Sequence, residues 1–411
     1  MPDLNKRKIL NDPIYGFITI PHEIIYDIIE HPWFQRLRRI QQLGLSNLVY
    51  PGANHTRFQH AIGAMHLLGK AVHVLRSKGN EITDAEAEAA AIAVLLHDIG
   101  HGPFSHALEN TLVDSINHEQ LSLIFIDKLN KQFNGRLSLA QKIFTGNYHK
   151  KFLHQLVSSQ LDVDRLDYLI RDSYFTGVHE GVIGYDRLIE MMDVADDSLV
   201  IEQKGIYSVE KFIVSRRIMY WQVYLHKTVI CAEQMLIKAL KRAKYLSKNN
   251  DRFSATPALD MFLYEDFTEQ NFIEDENIIN NFALLDDSDI YVALKTWQFS
   301  EDKVLAYLCS ALINRRLFRI ELENDIISQK RISDITKQVQ EKYQLTDAFD
   351  LQYFVFHDST SNSAYQLKDQ NIHIKFRNGN IIDVVDASDH VNLASLSDPV
   401  VKYYLCYPKD L

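Results

Sequence analysis

Through the first 250 positions, apolar residues recur mostly at helical spacing. From Glu23 the pattern predicts two helices, split at His31-Pro32 because a proline disfavours helical backbone in the residue before it. Residues 58–79 keep apolar positions at helical spacing and stop at Gly79; Asp84 then suits the N-cap of a helix carrying Ala85 to Asp98. Helical patterning also covers 104–131, 149–175 and one long run from Ser208 to about Lys248. "YGFITI" (15–20) reads as extended, and a small hairpin is expected around 199–205. Residues 249–284 are acidic and aromatic-rich, and helical patterning returns over 287–345. Beyond that point the period changes to two. "LQYFVFH" (351–357), "NIHIKFRNGNIIDVVD" (371–386) and "VVKYYLCY" (400–407) read as strands, with a hairpin turn at Asn378-Gly379. The expected architecture is a mostly α body with a small α+β C-terminal element, divided as 1–248, 249–345 and 346–411.

Composition narrows the partners. A net charge of −10 argues against nucleic acid, which needs a basic surface to release counterions, but not against small phosphorylated ligands in a local basic pocket. No apolar run approaches a membrane span, and no secretory signal is visible. The three cysteines, Cys231, Cys309 and Cys406, are far apart with no CxxC pair, which suits a reducing cytoplasm.

The chemistry concentrates in "LLHDIGHGPFSHALEN" (95–110), where an apolar helix ends on His97-Asp98 and breaks at Gly-His-Gly-Pro. A divalent cation would give both the imidazole and the carboxylate a partner. Further ligands must come from other helices, and His60 in "HTRFQH" and Asp164 in "LDVDRLDYLIRD" are the candidates. Mixed imidazole and carboxylate ligands suit Mn²⁺, Mg²⁺, Fe²⁺ or Ni²⁺, with Zn²⁺ kept open. Arg57 lies one turn before His60, and Gly100, Gly102 and Pro103 form a loop through which backbone could approach a ligand. His101, and His106 with Glu109 at i, i+3, can face the same cavity; a carboxylate beside an imidazole keeps it protonated, as a general acid requires. His118-Glu119 repeats the theme. Arg165, Tyr168 and Arg171-Asp172 share a helix face, which in most proteins is a solvated one. A second His-Asp pair, His357-Asp358, has no histidine cluster beside it and reads as chance.

With these residues in view, the chain resembles the HD-domain metal-dependent phosphohydrolases, and within them the deoxynucleoside triphosphate (dNTP) triphosphohydrolases. "FQRLRRIQQLG", "YPGANHTRFQH", "LLHDIGHGPFSH", "NHEQ" and "LDVDRLDYLIRDSYFTGV" occur in that family's order. The resemblance implies an HD-domain helical bundle with metal residues His60, His97, Asp98 and Asp164. It places Arg57, His101, His118, Arg165, Tyr168 and Arg216 on the phosphates, and His106, supported by Glu109, as proton donor to the leaving group. Gln42, Leu43, Asp172 and Tyr224 would line the sugar and base pocket, and Tyr220 stands where relatives have a histidine facing substrate. Lys8, Gln35 and Arg38 resemble a nucleotide effector site between subunits, with His226-Lys227 near it, although His31 replaces an acidic residue there. The implied activity is hydrolysis of dNTPs to deoxynucleoside and triphosphate by a cytoplasmic homo-oligomer, dimer or higher. An alarmone or nucleoside monophosphate substrate, or a catalytically weak nucleotide sensor, is the alternative.

Overall fold

The computed structural model describes residues 8–104, 109, 111–113, 116–249, 254–345, 347–365, 371–390 and 392–411. Its centre is the Asp84–Leu96 helix, in which Ala89–Leu96 is buried without a polar interruption. Thr83, rather than Asp84, caps it: the Glu86 N–H donates to the Thr83 hydroxyl (3.2 Å) while the Glu86 carboxylate accepts the Thr83 N–H (2.8 Å). Ala90 and Ala93 are fully buried, and small side chains let neighbouring helices come close. The Arg57–Ser77 helix packs along it, and the Val163–Thr176 helix packs on Arg57–Ser77 in turn. Those three helices bring together segments more than a hundred residues apart.

Several expected helices are interrupted, each for a local reason. Within 104–131, Phe104 takes a left-handed φ of 51° and 111–113 form turns, so the long helix begins only at His118. The 149–175 run splits into Lys151–Val157 and Val163–Thr176, because the Asp162 carboxylate accepts both the Ser159 and Arg165 N–H groups (2.7 and 2.8 Å). The run from Ser208 breaks after Ile206–Met219 into a π-helical turn, Tyr220–Tyr224, and restarts at Lys227–Lys248, where the His226 ring accepts the Thr228 N–H (3.2 Å). Such turns recur at functional sites.

The strands are short. β1 (Ile9–Asp12) and β2 (Gly16–Thr19) form a hairpin. The second hairpin, β3 (Met192–Ala195) with β4 (Ser198–Glu202), turns at Asp196-Asp197, earlier than the pattern predicts. β5 (Arg319–Glu323) falls inside the 287–345 stretch whose spacing predicts helix. β6 begins at Phe356 and runs to Asn362, because Asp347 caps a turn of helix, Ala348–Leu351, where the alternation predicts the start of a strand. β7 (His373–Lys375) and β8 (Ile381–Asp383) flank the Asn378-Gly379 turn, with Gly379 at φ 89°. β9 (Val400–Tyr407) lies between β5 and β6, while β7 adds parallel to β4 so that β3-β4-β7-β8 make one sheet. The fold is mostly α with small sheets.

Two glycines of the Arg57–Ser77 helix test the packing. A Cβ on Gly63 would stand 2.1 Å from Asp167 Oδ1 and 2.2 Å from Arg171 Nη2, whereas one on Gly69 meets nothing within 4 Å. Gly63→Ala should therefore lower unfolding free energy by about 2 kcal/mol or more in urea denaturation. Gly69→Ala should raise it by about 0.4–1 kcal/mol.

Candidate active site

His60 is in the first turn of Arg57–Ser77, His97 caps the end of Asp84–Leu96 with Asp98 following, and Asp164 is in the first turn of Val163–Thr176. Their ligand atoms converge. His60 Nε2 is 3.0 Å from Asp164 Oδ1, 3.3 Å from His97 Nε2 and 3.9 Å from Asp98 Oδ2. His97 Nε2 is 3.4 Å from Asp164 Oδ1 and 3.3 Å from Asp98 Oδ1. Atoms bound to one cation at about 2.1 Å stand roughly 3–3.5 Å apart, so the cluster has the right dimensions.

Its hydrogen bonding points the same way. His60 Nδ1 faces Asp167 Oδ2 at 2.8 Å, and a carboxylate can only accept, so Nδ1 carries the proton. His97 Nδ1 likewise donates to the Val94 carbonyl (2.5 Å). Both Nε2 atoms therefore turn lone pairs inward, beside two carboxylates: a set of acceptors that calls for positive charge at its centre. Burial alone would lower the two imidazoles, yet Asp164 and Asp167 hold His60 up at about 10, and Asp98 and Asp164 hold His97 up at about 9. Against its own burial, Asp164 is held far below the usual carboxylate range by the same two histidines. His60, His97 and Asp164 each bring a ligand atom close enough together to hold a divalent metal, and Asp98 stands beside them.

The cluster rests on residues to which the motifs assign no role. Asp167 receives two hydrogen bonds from Arg171 (2.8 and 2.9 Å), and Arg171 also donates to Asp12 (2.8 Å). All three are buried, so on this side of the helix the polar groups form an internal strut rather than a solvated face. The i, i+4 spacing of Asp167 and Arg171 is the signal the sequence offers. Asp12 offers none. Gly100 also serves packing more than ligand approach. A Cβ there would meet His118 O at 2.3 Å and Ser122 N at 2.4 Å, and Ser122 Oγ bridges the Gly100 N–H and the His97 carbonyl.

Around the cluster, Arg57 Nη1 grips Asp98 Oδ2 (2.5 Å). His101 Nε2 lies 3.3 Å from Asp98 Oδ1 and its ring stacks on His118 at 4.0 Å. Burial, with Arg57 next, pushes His101 down to about 3, so it is a neutral imidazole. Glu109 accepts from His118 Nδ1 (2.8 Å) and lies 4.0 Å from His101 Nδ1. His106 lies outside the described residues.

A cavity of about 450 Å³ opens beside Asp164, lined by Gln42, Leu43, Arg57, Phe104, Arg165, Tyr168, Asp172, Tyr220 and Tyr224 among others. Arg216 is buried, with its guanidinium 5.8 Å from the ring of Tyr220. Arg165 Nε is held by the Ser159 carbonyl (2.6 Å), and burial raises the Tyr168 phenol, which stays protonated. Both oxygens of buried Asp172 have partners: His55 Nε2 on Oδ1 and the Tyr224 hydroxyl on Oδ2, each at 2.7 Å. His55, stacked on Phe175, is a further residue that the sequence pattern leaves unmarked. A larger cavity of about 780 Å³ between the Ile206–Met219 helix and Asp389-His390 contains none of these residues.

The residues that resemble an effector site are partly joined. Arg38 donates to Gln35 (2.8 Å) and lies over the Phe58 ring, while Lys8 lies over Tyr26. His31 Nδ1 accepts the Trp33 N–H (3.2 Å) and so caps the Pro32–Gln35 turn, while its Nε2 lies 3.0 Å from Gln132 Oε1. His357-Asp358 is on β6, exposed and apart from the cluster.

Three helices thus bring a His, a His-Asp pair and an Asp around one centre that could hold a divalent metal. Residues 57–172 match the HD domain model, and residues 183–261 match a model described as an HD associated region. The chain is 33% identical to the Bacillus subtilis protein YwfO over 99% of its length and 94% of that protein's. It is 34% identical to the deoxynucleoside triphosphate triphosphohydrolase SAMHD1 homolog of Dictyostelium discoideum, across 60% of this chain and 51% of that protein, so it spans about half that relative's length. A crystal structure of a phosphohydrolase from Bacteroides thetaiotaomicron superposes with a TM-score of 0.94 at 52% identity, covering 98% of this chain and all of the other. The chain belongs to the HD-domain phosphohydrolases.

The strut makes metal affinity depend on a residue that does not face the metal. Asp167→Asn should weaken Mn²⁺ binding about 10–100-fold in a calorimetric titration, because His60 would lose the partner that fixes its tautomer and ring orientation.

Proposed function

We propose that this phosphohydrolase splits a dNTP into deoxynucleoside and inorganic triphosphate. The observation that carries the reading is that one cavity contains both a residue of the acceptor cluster, Asp164, and the Asp172–Tyr224 pair. Asp164, Tyr168 and Asp172 recur every four residues on one helix, so the two carboxylates stand about 12 Å apart along it, as phosphate and sugar ends of one ligand would require.

In this reading His60, His97, Asp98 and Asp164 hold the divalent ion, which supplies charge neutralisation and a lowered pKa for water. Arg57 and Arg165 take phosphate oxygens, together with His118, Tyr168 and Arg216. Neutral His101 donates one hydrogen bond to a phosphate oxygen without adding charge. His106, supported by Glu109, delivers the proton to the departing 5′-oxygen after in-line attack at the α-phosphorus. Gln42, Leu43, Tyr220 and Tyr224 shape the nucleoside pocket, and Asp172 accepts the sugar hydroxyl. His55 and Tyr224 hold that carboxylate in place. Lys8, Gln35 and Arg38 are assigned to an effector nucleotide, and a homo-oligomer working in the cytoplasm completes the proposal. The division into 1–248, 249–345 and 346–411 belongs to it as well. Among the described residues, no helix is long and apolar enough to cross a membrane.

The test is a panel of deoxy- and ribonucleotides with Mn²⁺ or Mg²⁺, products resolved by chromatography. Inorganic triphosphate from a dNTP is expected; orthophosphate or pyrophosphate, or turnover of an alarmone or monophosphate alone, would replace the substrate assignment. Tight binding without turnover would mean a sensor. His106→Ala should slow turnover about 10²–10⁴-fold with metal still bound. Asp164→Ala should lose metal and activity together.

A further inference from the structure

The cavity's walls are held from outside by the helix Asp287–Trp297, a long way down the chain. Asp287, 5% exposed, places its two carboxylate oxygens on two backbone amides: Oδ1 accepts the Phe104 N–H (3.1 Å) and Oδ2 accepts the Gln41 N–H (2.8 Å). Phe104 lines the cavity, and Gln41 precedes Gln42, which does too. These two segments are far apart in the sequence, and one carboxylate closes the gap between them.

The Phe104 side needs such a hold. Its φ of 51° is disfavoured for a residue bearing a Cβ, so an outside contact must fix it. Tyr291, one turn beyond Asp287, meets the Phe104 ring edge-on at 5.4 Å. Neighbouring contacts seat the helix itself. Asp286 pairs with Arg39 and accepts the Ser288 N–H (2.9 Å). The buried Arg36 guanidinium donates to the Phe282 and Leu285 carbonyls (both 3.3 Å) and to the Ile99 carbonyl (2.7 Å), next to Asp98. Asp287 is not among the residues lining the cavity, and it meets the acceptor cluster only through the field of the Arg57 guanidinium. Its action is on the backbone that carries Phe104 and Gln42.

We infer that Asp287 is a positioning residue of the phosphohydrolase site, a carboxylate latch that fixes the His101–Phe104 segment and the Gln41–Leu43 segment relative to each other. This rests on the reading of the cavity as the substrate site. The latch predicts a kcat effect, because a shift of about 1 Å in the groups that orient a substrate can cost on the order of 10²-fold in rate. It predicts little effect on metal affinity, since no ligand is lost.

The experiment uses the full chain with Asp287→Ala, Asp287→Asn and, as a control, Asp302→Ala. Asp302 pairs with Arg242 (2.6 Å) and accepts the Leu305 N–H (2.7 Å), and it is not among the cavity's lining residues, so it stands for a lost ion pair and backbone bond that join no two cavity segments. Four readouts are taken: amide hydrogen exchange in peptides spanning Gln41 and Phe104, Mn²⁺ affinity by titration, the thermal melting midpoint, and kcat and KM on whichever nucleotide the unmodified protein turns over. In Asp287→Ala, exchange at both segments should rise about 10-fold or more, kcat should fall about 10–100-fold, and KM and Mn²⁺ affinity should stay within about 3-fold. Asp287→Asn should match it, because an amide offers one acceptor oxygen and turns a second donor toward an N–H. Unchanged exchange at Gln41 and Phe104 overturns the latch. So does a kcat, metal affinity and melting midpoint that fall together, as they would in Asp302→Ala if the loss were only of stability. If the unmodified protein turns over no nucleotide while Asp287→Ala still loosens both segments, the dNTP reading fails and the latch stands.

Discussion

Two imidazole nitrogens 3.3 Å apart, both with lone pairs turned inward and both beside carboxylates, cannot be left without positive charge. That demand organises the molecule. It is created by the outward hydrogen bonds, His60 to Asp167 and His97 to the Val94 carbonyl, which remove any choice of tautomer. In water such a set would be unremarkable. Buried among three packed helices, it costs free energy unless a cation or protons neutralise it. The folded chain bears that cost through its packing, which is a usual sign of a functional site rather than of a stabilising one.

The surrounding structure can be understood as what keeps those acceptors from separating. Asp12, Arg171 and Asp167 form a buried relay ending on His60, and Gly63 exists because that relay leaves no room for a side chain. Gly100 lets the segment after His97-Asp98 lie against the start of the His118–Gln132 helix, where Ser122 ties it down. Arg36 and Asp287 perform the corresponding service for the loop that follows. Ser122 apart, each strut is a charged group whose hydrogen bonds are directed at backbone or at another buried charge, so none is interchangeable with an apolar residue of similar size.

What is legible in the sequence divides along the range of the interaction. His60, His97, Asp98 and Asp164 can be proposed because their motifs are local and their chemistry is distinctive. The central helix can be proposed because "AAAIAVLL" has no polar face to expose. Helix interruptions are harder. The break at 158–162 depends on Asp162 acting as a cap rather than continuing a helix, and the π-helical turn at Tyr220–Tyr224 leaves no mark on the apolar spacing. β5 and β6 escape the local pattern because each is defined by pairing with β9, dozens of residues away. His55 and Asp287 are invisible for the same reason. Their partners lie 117 and 183 residues distant, at Asp172 and Phe104, and nothing near either residue announces a contact of that length.

The central claim is that one cation sits among four side chains from three helices. The most direct measurement is a crystal structure of the protein grown with Mn²⁺, with anomalous diffraction recorded at the manganese edge. A single strong anomalous peak is predicted within about 2.0–2.4 Å of His60 Nε2, His97 Nε2 and one oxygen each of Asp98 and Asp164. An anomalous map with no peak among these residues, or with manganese bound only elsewhere, would contradict it.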